Sequence, residues 1–212
     1  MKISSINKEV ISNIRTQVKA RLSEKRYIHT LGVEKMAIYI GEKIMPEMVD
    51  HLSAAALLHD ISKEYSEAEH LDVIKKHKIL LTEDDYPIPA LWHSITAPYV
   101  IMDEFNYAAD SDILSAIANH TVGSPDMTIF DEIILLADYI EEGRKYTNCI
   151  DTRNTFLNLM EKAESIEEKI HALHFACFTS LENNLNEFAS RGIQYHHRTM
   201  DTRNALLAKL ER

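Results

Sequence analysis

The sequence predicts an all-α fold, and three observations carry that prediction. Only five Gly and five Pro occur among 212 residues, so helix breakers are sparse. Apolar residues recur at three- and four-residue steps almost throughout, the spacing that lays one face of a helix on a core. No stretch alternates apolar and polar residues as a half-buried strand does. A hydrophobic content of 45% suffices for a continuous core, and the length fits one domain, 1–212, more simply than two.

The elements follow in order. Apolar spacing predicts helices over 7–22 and 26–44, the second with His29 on the same side as Leu31, Val33 and Met36. A third, over 47–61, closes with the run AAALLHD, and a fourth over 66–76 opens on Ser66 with Glu69 three residues on, the pairing of a capping box. The polar, Pro-bearing stretch 80–89 reads as a loop, followed by helices over 89–103 and 110–120, the latter ending in AIANH. A second loop, 121–128, leads into the apolar helix 129–141 with its segment ILLADYI. Helices over 151–163, 166–190 and 200–210 complete the chain, and Ser165 with Glu168 repeats the capping box. The tetrad Asp-Thr-Arg-Asn stands at 151–154 and again at 201–204, each leading into an apolar run, but two short copies make no repeat architecture.

Composition narrows the function classes. A net charge of -10 argues against broad capture of nucleic acid, which needs clustered Lys and Arg to replace phosphate counterions. Bound divalent cations can still make one site locally positive, so an anionic small substrate remains open. Cys149 and Cys177 are too few for a disulfide framework and lack the pairing of a thiolate zinc site. No apolar run reaches the roughly 20 residues of a membrane span, and the first residues lack the apolar centre of a signal peptide, so the expectation is a cytoplasmic protein without a membrane partner.

The histidines and aspartates point to chemistry. Asp60 follows His59 directly after a run of small and branched apolar residues, and a carboxylate drawn into a core must be ion-paired, well hydrogen-bonded or bound to metal. Asp138 and His120 also sit in or end apolar helices. Taken singly, Asp138 could cap a neighbouring helix and His120 could stabilise a helix C-terminus. With His29 and with His93, which follows Leu91 and Trp92, the group makes sense as the ligand set of two divalent cations. Imidazoles suit iron, manganese or zinc, and a carboxylate can bridge a metal pair.

His29, His59-Asp60 and Asp138 stand in the order and approximate spacing of the H…HD…D signature, so the chain resembles the HD phosphohydrolase superfamily. More narrowly, RYIHTLGV, AALLHDISK, LWHSITA, AIANHTVG and LADYIEEGR are similar to segments of the YqeK-type family, whose members are regarded as symmetrical diadenosine tetraphosphatases. That resemblance spans about residues 20–155, the expected metal-binding core, with 156–212 as a helical extension whose YHHRTMDTRNALL also looks like that family's ending. It implies an HD-domain helical bundle with the C-terminal helices packed on it. It also implies that His29, His59, Asp60 and Asp138 hold one metal while Asp60 bridges to a second held by His93 and His120. Iron is the metal implied. Two departures leave the ligands intact: Glu142 stands where the family motif has Pro, and Val122 where it has Thr.

The activity so implied is hydrolysis of dinucleoside polyphosphates, with diadenosine tetraphosphate cleaved symmetrically to two ADP by hydroxide generated at the metals. Asp60 and Lys63 are the expected catalytic residues, Lys63 because it follows the ligand by three residues and could neutralise phosphate charge. Arg26 and Arg144 are candidates for the phosphate chain through forked hydrogen bonds, or surface ion-pair partners. Thr121 and Gly123, just after His120, could let backbone approach a nucleotide, Gly123 equally being a helix terminator. Glu141 could support a ligand from behind or touch a ribose. His171 and His174 read as packing residues, and His51, His70, His77, His196 and His197 as surface or helix-end residues. Met36, Met45, Met48, Met102 and Met160 read as core filling, and Trp92 as packing under the site. Other readings are a nucleotidase or cyclic nucleotide phosphodiesterase on the same metals, or a nucleotide sensor without turnover; a homodimer stays open.

Overall fold

The computed structural model describes residues 6–211. Among them stand α1 (Lys8–Arg21), α2 (Glu24–Ile44), α3 (Val49–Leu58), α4 (Glu67–His77), α5 (Trp92–Glu104), α6 (Ser111–Asn119), α7 (Ile129–Ile140), α8 (Thr147–Lys162), α9 (Ile166–Arg191) and α10 (His197–Leu210), and no strand. Short 3₁₀ turns, Pro46–Met48 and Pro89–Leu91, lead into α3 and α5. None of these helices is long and apolar enough to cross a membrane.

α3 is the axle of the fold. Every residue from Leu52 to Leu58 is buried, because α1, α2, α6 and α7 pack around it and its Ser53-Ala54-Ala55-Ala56 run lets them come close. α7 is the second buried rod, lying between α2 and α6 on one side and α9 on the other, so it joins the first seven helices to the layer made by α8, α9 and α10. Glu132 of α7, fully buried, meets His174 Nδ1 at 2.6 Å and Lys209 Nζ at 2.7 Å, which ties that layer down with charge as well as apolar surface. His174 is therefore a hydrogen-bond partner of Glu132 and more than a packing residue.

Both capping boxes expected at Ser66 and Ser165 are formed, and Thr128 with Asp131 makes a third at the start of α7. Four expectations need correction. α8 and α10 begin at Thr147 and His197, four and three residues before the expected starts, so both Asp-Thr-Arg-Asn tetrads lie inside helices. The buried Thr152 and Thr202 face the interior from these tetrads. The chain leaves α3 at Leu58, and residues 59–64 run on as successive tight turns rather than continuing the helix. His70 and His196 are buried rather than superficial: His70 Nδ1 meets Thr96 Oγ1 at 2.9 Å, and His196 caps α10 by accepting from Arg198 N. Met102 is 48% exposed and fills no core, whereas Met36 and Met160 do.

Candidate metal centre

Six side chains from distant parts of the sequence converge where α2, the end of α3, the start of α5, the end of α6 and α7 meet. His29, His59 and Asp138 form one group and Asp60, His93 and His120 another, the ligand atoms within each lying no more than 4.8 Å apart. Asp60 connects them. Its Oδ2 lies 3.3 Å from His59 Nε2 and 3.8 Å from His29 Nε2, while its Oδ1 lies 3.5 Å from His93 Nε2 and 3.7 Å from His120 Nε2. One carboxylate thus turns a different oxygen to each group.

The imidazoles are oriented from behind. Nδ1 of His59, His93 and His120 lies 2.7, 2.8 and 2.6 Å from the carbonyls of Ala56, Ala90 and Ile117, in each case three residues back. A carbonyl can only accept, so each Nδ1 carries the proton and each Nε2 presents its lone pair to the centre. His29, in mid-helix, has no free carbonyl within reach; Glu141 Oε1, 3.2 Å from Nδ1, does the same work. Glu141 is buried, its other oxygen accepts from Gly143 N, and a Cβ on Gly32 would come within 2.4 Å of it, so a glycine in α2 is what admits this carboxylate. The Nε2 atoms of His29 and His59 are buried without a well-directed hydrogen bond, the first lying 3.0 Å from Asp138 Oδ1 and the second 3.3 Å from Asp60 Oδ2. Such atoms aimed at two shared carboxylates are what a divalent cation would satisfy.

Electrostatics keeps the centre charged. Burial would raise Asp60, but the imidazoles of His59, His120 and His93 hold it well below the usual carboxylate range. Burial would likewise raise Asp138, and Arg144, His29 and His59 hold it low. His93 is pushed well below the usual imidazole range by burial, Lys63 and His120, which leaves it neutral as a ligand must be. His29 goes the other way: burial alone would lower it, yet Asp138 and Glu141 raise it to about 9.

Residues 26–143 match the family described as the HD domain. The chain belongs to the HD-domain family. Two curated relatives are both named "Bis(5'-nucleosyl)-tetraphosphatase, symmetrical". The one from Bacillus subtilis is 36% identical over 136 residues, 64% of this chain and 72% of that one. The one from Halalkalibacterium halodurans is 33% identical over 129 residues, 61% of this chain and 67% of the relative. A crystal structure from Clostridium acetobutylicum, described as a predicted HD superfamily hydrolase involved in NAD metabolism, superposes with a TM-score of 0.80 at 27% identity, covering 93% of this chain and 97% of that one. The all-helical HD fold expected from the sequence is therefore the fold observed.

Around the six HD-domain ligand candidates lie the cations. Arg26 Nη1 is 2.8 Å from Asp60 Oδ2, Arg144 Nη2 is 2.5 Å from Asp138 Oδ1, and Lys63 Nζ is 3.1 Å from His93 Nε2. Thr121 Oγ1 stands 3.1 Å from His120 Nε2. Gly123 is engaged by the fold: its carbonyl accepts from Arg198, its N–H bonds Asn119 O, and its open side is filled by Thr202. Trp92 packs, with Nε1 bonded to Asp85 O at 2.9 Å. Glu142, at the departure from the family motif, is exposed and paired with Lys35.

Sequence reasoning missed Arg153. Its guanidinium binds the carbonyls of Ile140, Glu141 and Arg144 at 2.6, 2.8 and 2.9 Å, fixing the turn from which Glu141 and Arg144 reach the centre. Its only signal was its place in the first Asp-Thr-Arg-Asn tetrad.

Proposed function

We propose that this protein hydrolyses dinucleoside tetraphosphates symmetrically, diadenosine tetraphosphate giving two ADP, at a two-metal centre held by His29, His59, Asp60, His93, His120 and Asp138. The observation that carries the metal reading is the division of Asp60: its two oxygens face two separate groups of imidazole Nε2 atoms. The substrate reading is supported by the names of the two relatives. Iron is the proposed metal, manganese and zinc suiting the same donors.

Two divalent cations at these ligands would activate water near neutral pH and neutralise phosphoryl oxygens. The chain's own residues do the rest. Lys63, beside His93, adds a positive charge where the phosphate chain must come. Arg26 and Arg144 each spend one nitrogen on a carboxylate and, being forked, keep others for phosphate oxygens. Thr121 offers a hydroxyl beside His120. Two cavities reach the centre and meet at Arg144 and Tyr146, which suits a substrate with two nucleoside ends. One, of about 370 Å³, touches His120, Thr121 and Asp138; the other, of about 620 Å³, touches Arg26 and His29.

The test is metal analysis of anaerobically purified protein together with product identification after incubation with diadenosine tetraphosphate. About two irons per chain with ADP as the sole nucleotide product is the expected result. ATP with AMP as products would make the cleavage asymmetric, and release of only inorganic phosphate from mononucleotides would transfer the site to phosphomonoesters. Tight binding with background turnover would make the protein a sensor.

A further inference from the structure

The two ligand groups are held by different scaffolding. His29 and Asp138 stand inside long helices, and His59 directly follows the buried α3. His93, one residue into α5 after the 80–91 segment, and His120, which follows α6 as His59 follows α3 and opens the 120–128 turn, each lie beside a loop. What sets these two apart is that the first turns of α10 fasten both of those loops.

On the His120 side, Arg198 Nη2 donates to Asn119 Oδ1 at 2.9 Å and to Gly123 O at 2.6 Å, bracketing the ligand by one residue before and three after. Thr202, fully buried, presses on Gly123 and shares its hydroxyl between Arg198 O at 2.7 Å and Val122 O at 3.3 Å. On the His93 side, His196 Nε2 lies 3.1 Å from Asp85 Oδ1, and Asp85 O accepts from Trp92 Nε1, the neighbour of the ligand. The exposed His197 adds a contact to Asp84.

The donor atoms of Asp84, His196 and His197 also cluster within 4.8 Å, which raises the question of a third metal. The tautomer answers it. His196 Nδ1 accepts from Arg198 N, so Nε2 carries the proton it gives to Asp85, and neither nitrogen has a lone pair left for a cation. These residues are fasteners.

We propose that Arg198, Thr202 and His196 are positioning residues that set the second half of the metal centre, the Asp60–His93–His120 group, and leave the first half to the core helices. The inference rests on the two-metal reading above. It makes the C-terminal helix a determinant of metal stoichiometry, although it contributes no ligand.

The experiment is a titration of the metal-free protein with Mn(II), followed by calorimetry and by electron paramagnetic resonance. Wild type is expected to bind two ions and show the exchange-coupled spectrum of a metal pair. Arg198→Ala is expected to keep the first ion at wild-type affinity and to weaken the second about 10–100-fold, the usual loss when a ligand's outer support is removed. Its spectrum should then be the six-line pattern of isolated Mn(II). Arg198→Lys, which can still reach one carbonyl, should recover part of the second site. Arg203→Met, which cuts the α10 tie to Glu182 of α9 and leaves the contacts to both loops in place, is the control and should keep both ions. Two wild-type affinities in Arg198→Ala, or equal weakening of both sites, would overturn the inference. A single site in wild type would instead refute the two-metal reading on which it stands.

Discussion

Gly123→Ala tests whether this glycine serves the fold or the substrate. Gly123 has φ +73°, and a Cβ there would lie 2.5 Å from Thr202 Cγ2 and 2.9 Å from Thr202 Oγ1. The left-handed backbone costs a non-glycine residue about 1–2 kcal/mol. Forcing a methyl against the fully buried Thr202 adds about 1–3 kcal/mol of overpacking. The sum is about 2–5 kcal/mol, which for a chain of this size lowers Tm by about 4–20 °C. Thermal unfolding of the metal-free protein measures it, and the double-mutant cycle with Thr202→Ala separates the two contributions. Removing the Thr202 side-chain ends should return the overpacking part, giving a coupling of about 1–3 kcal/mol, while the backbone cost persists. A Gly123→Ala protein as stable as wild type but with a raised KM would refute this reasoning and restore Gly123 to the substrate.

Asp60→Asn keeps the shape of the side chain and removes the charge both ligand groups share; it should lose the metal pair and all measurable hydrolysis, and full metal loading in this variant would defeat the proposed bridge. Lys63→Ala should retain both metals and lose about 10²–10³-fold in kcat, and equal turnover would make Lys63 a passive neighbour of His93. Metal affinity should depend on pH through His29. Its pKa rises on folding from 6.5 to about 9, so in the metal-free chain its stabilising charge is fully present below pH 6.5 and is lost as pH rises through about 9. Metal must expel that proton, so affinity of the first site should climb about tenfold per unit between pH 7 and 9, and a flat calorimetric profile over that range would exclude the mechanism.

The ligands were legible because burying a charge leaves a local mark. His59 and Asp60 interrupt a run in which Leu57, Leu58 and Ile61 are at most 1% exposed, and no ordinary core sequence places a carboxylate there. The helices were legible for the related reason that their apolar spacing is local. What escaped was set by partners distant in sequence. Arg198 and Asn119 are separated by 79 residues, and nothing around either residue announces the other. His70 and His196 looked superficial because their neighbours in sequence are polar, yet Thr96 and Asp85, distant in sequence, supply their partners. The starts of α8 and α10 lie outside the apolar spacing that placed them at 151 and 200: His196 and Tyr146 begin these helices earlier, in polar sequence.

The arrangement of charge would let a chain of net charge -10 receive the proposed polyphosphate substrate. Around the centre, the carboxylates of Asp60, Asp138 and Glu141 are matched by Arg26, Arg144 and Lys63, all within contact of the ligand set or part of it. This group is close to neutral before any metal binds, which is why it can be buried without unfolding the HD domain. Two divalent cations replacing the His29 proton would make the same site strongly positive, at the meeting point of two cavities, one of which also carries Lys25 and Lys145. The protein then needs no basic surface to find a polyanion. Two bound cations would confine attraction for phosphate to the one place where the proposed hydrolysis can follow.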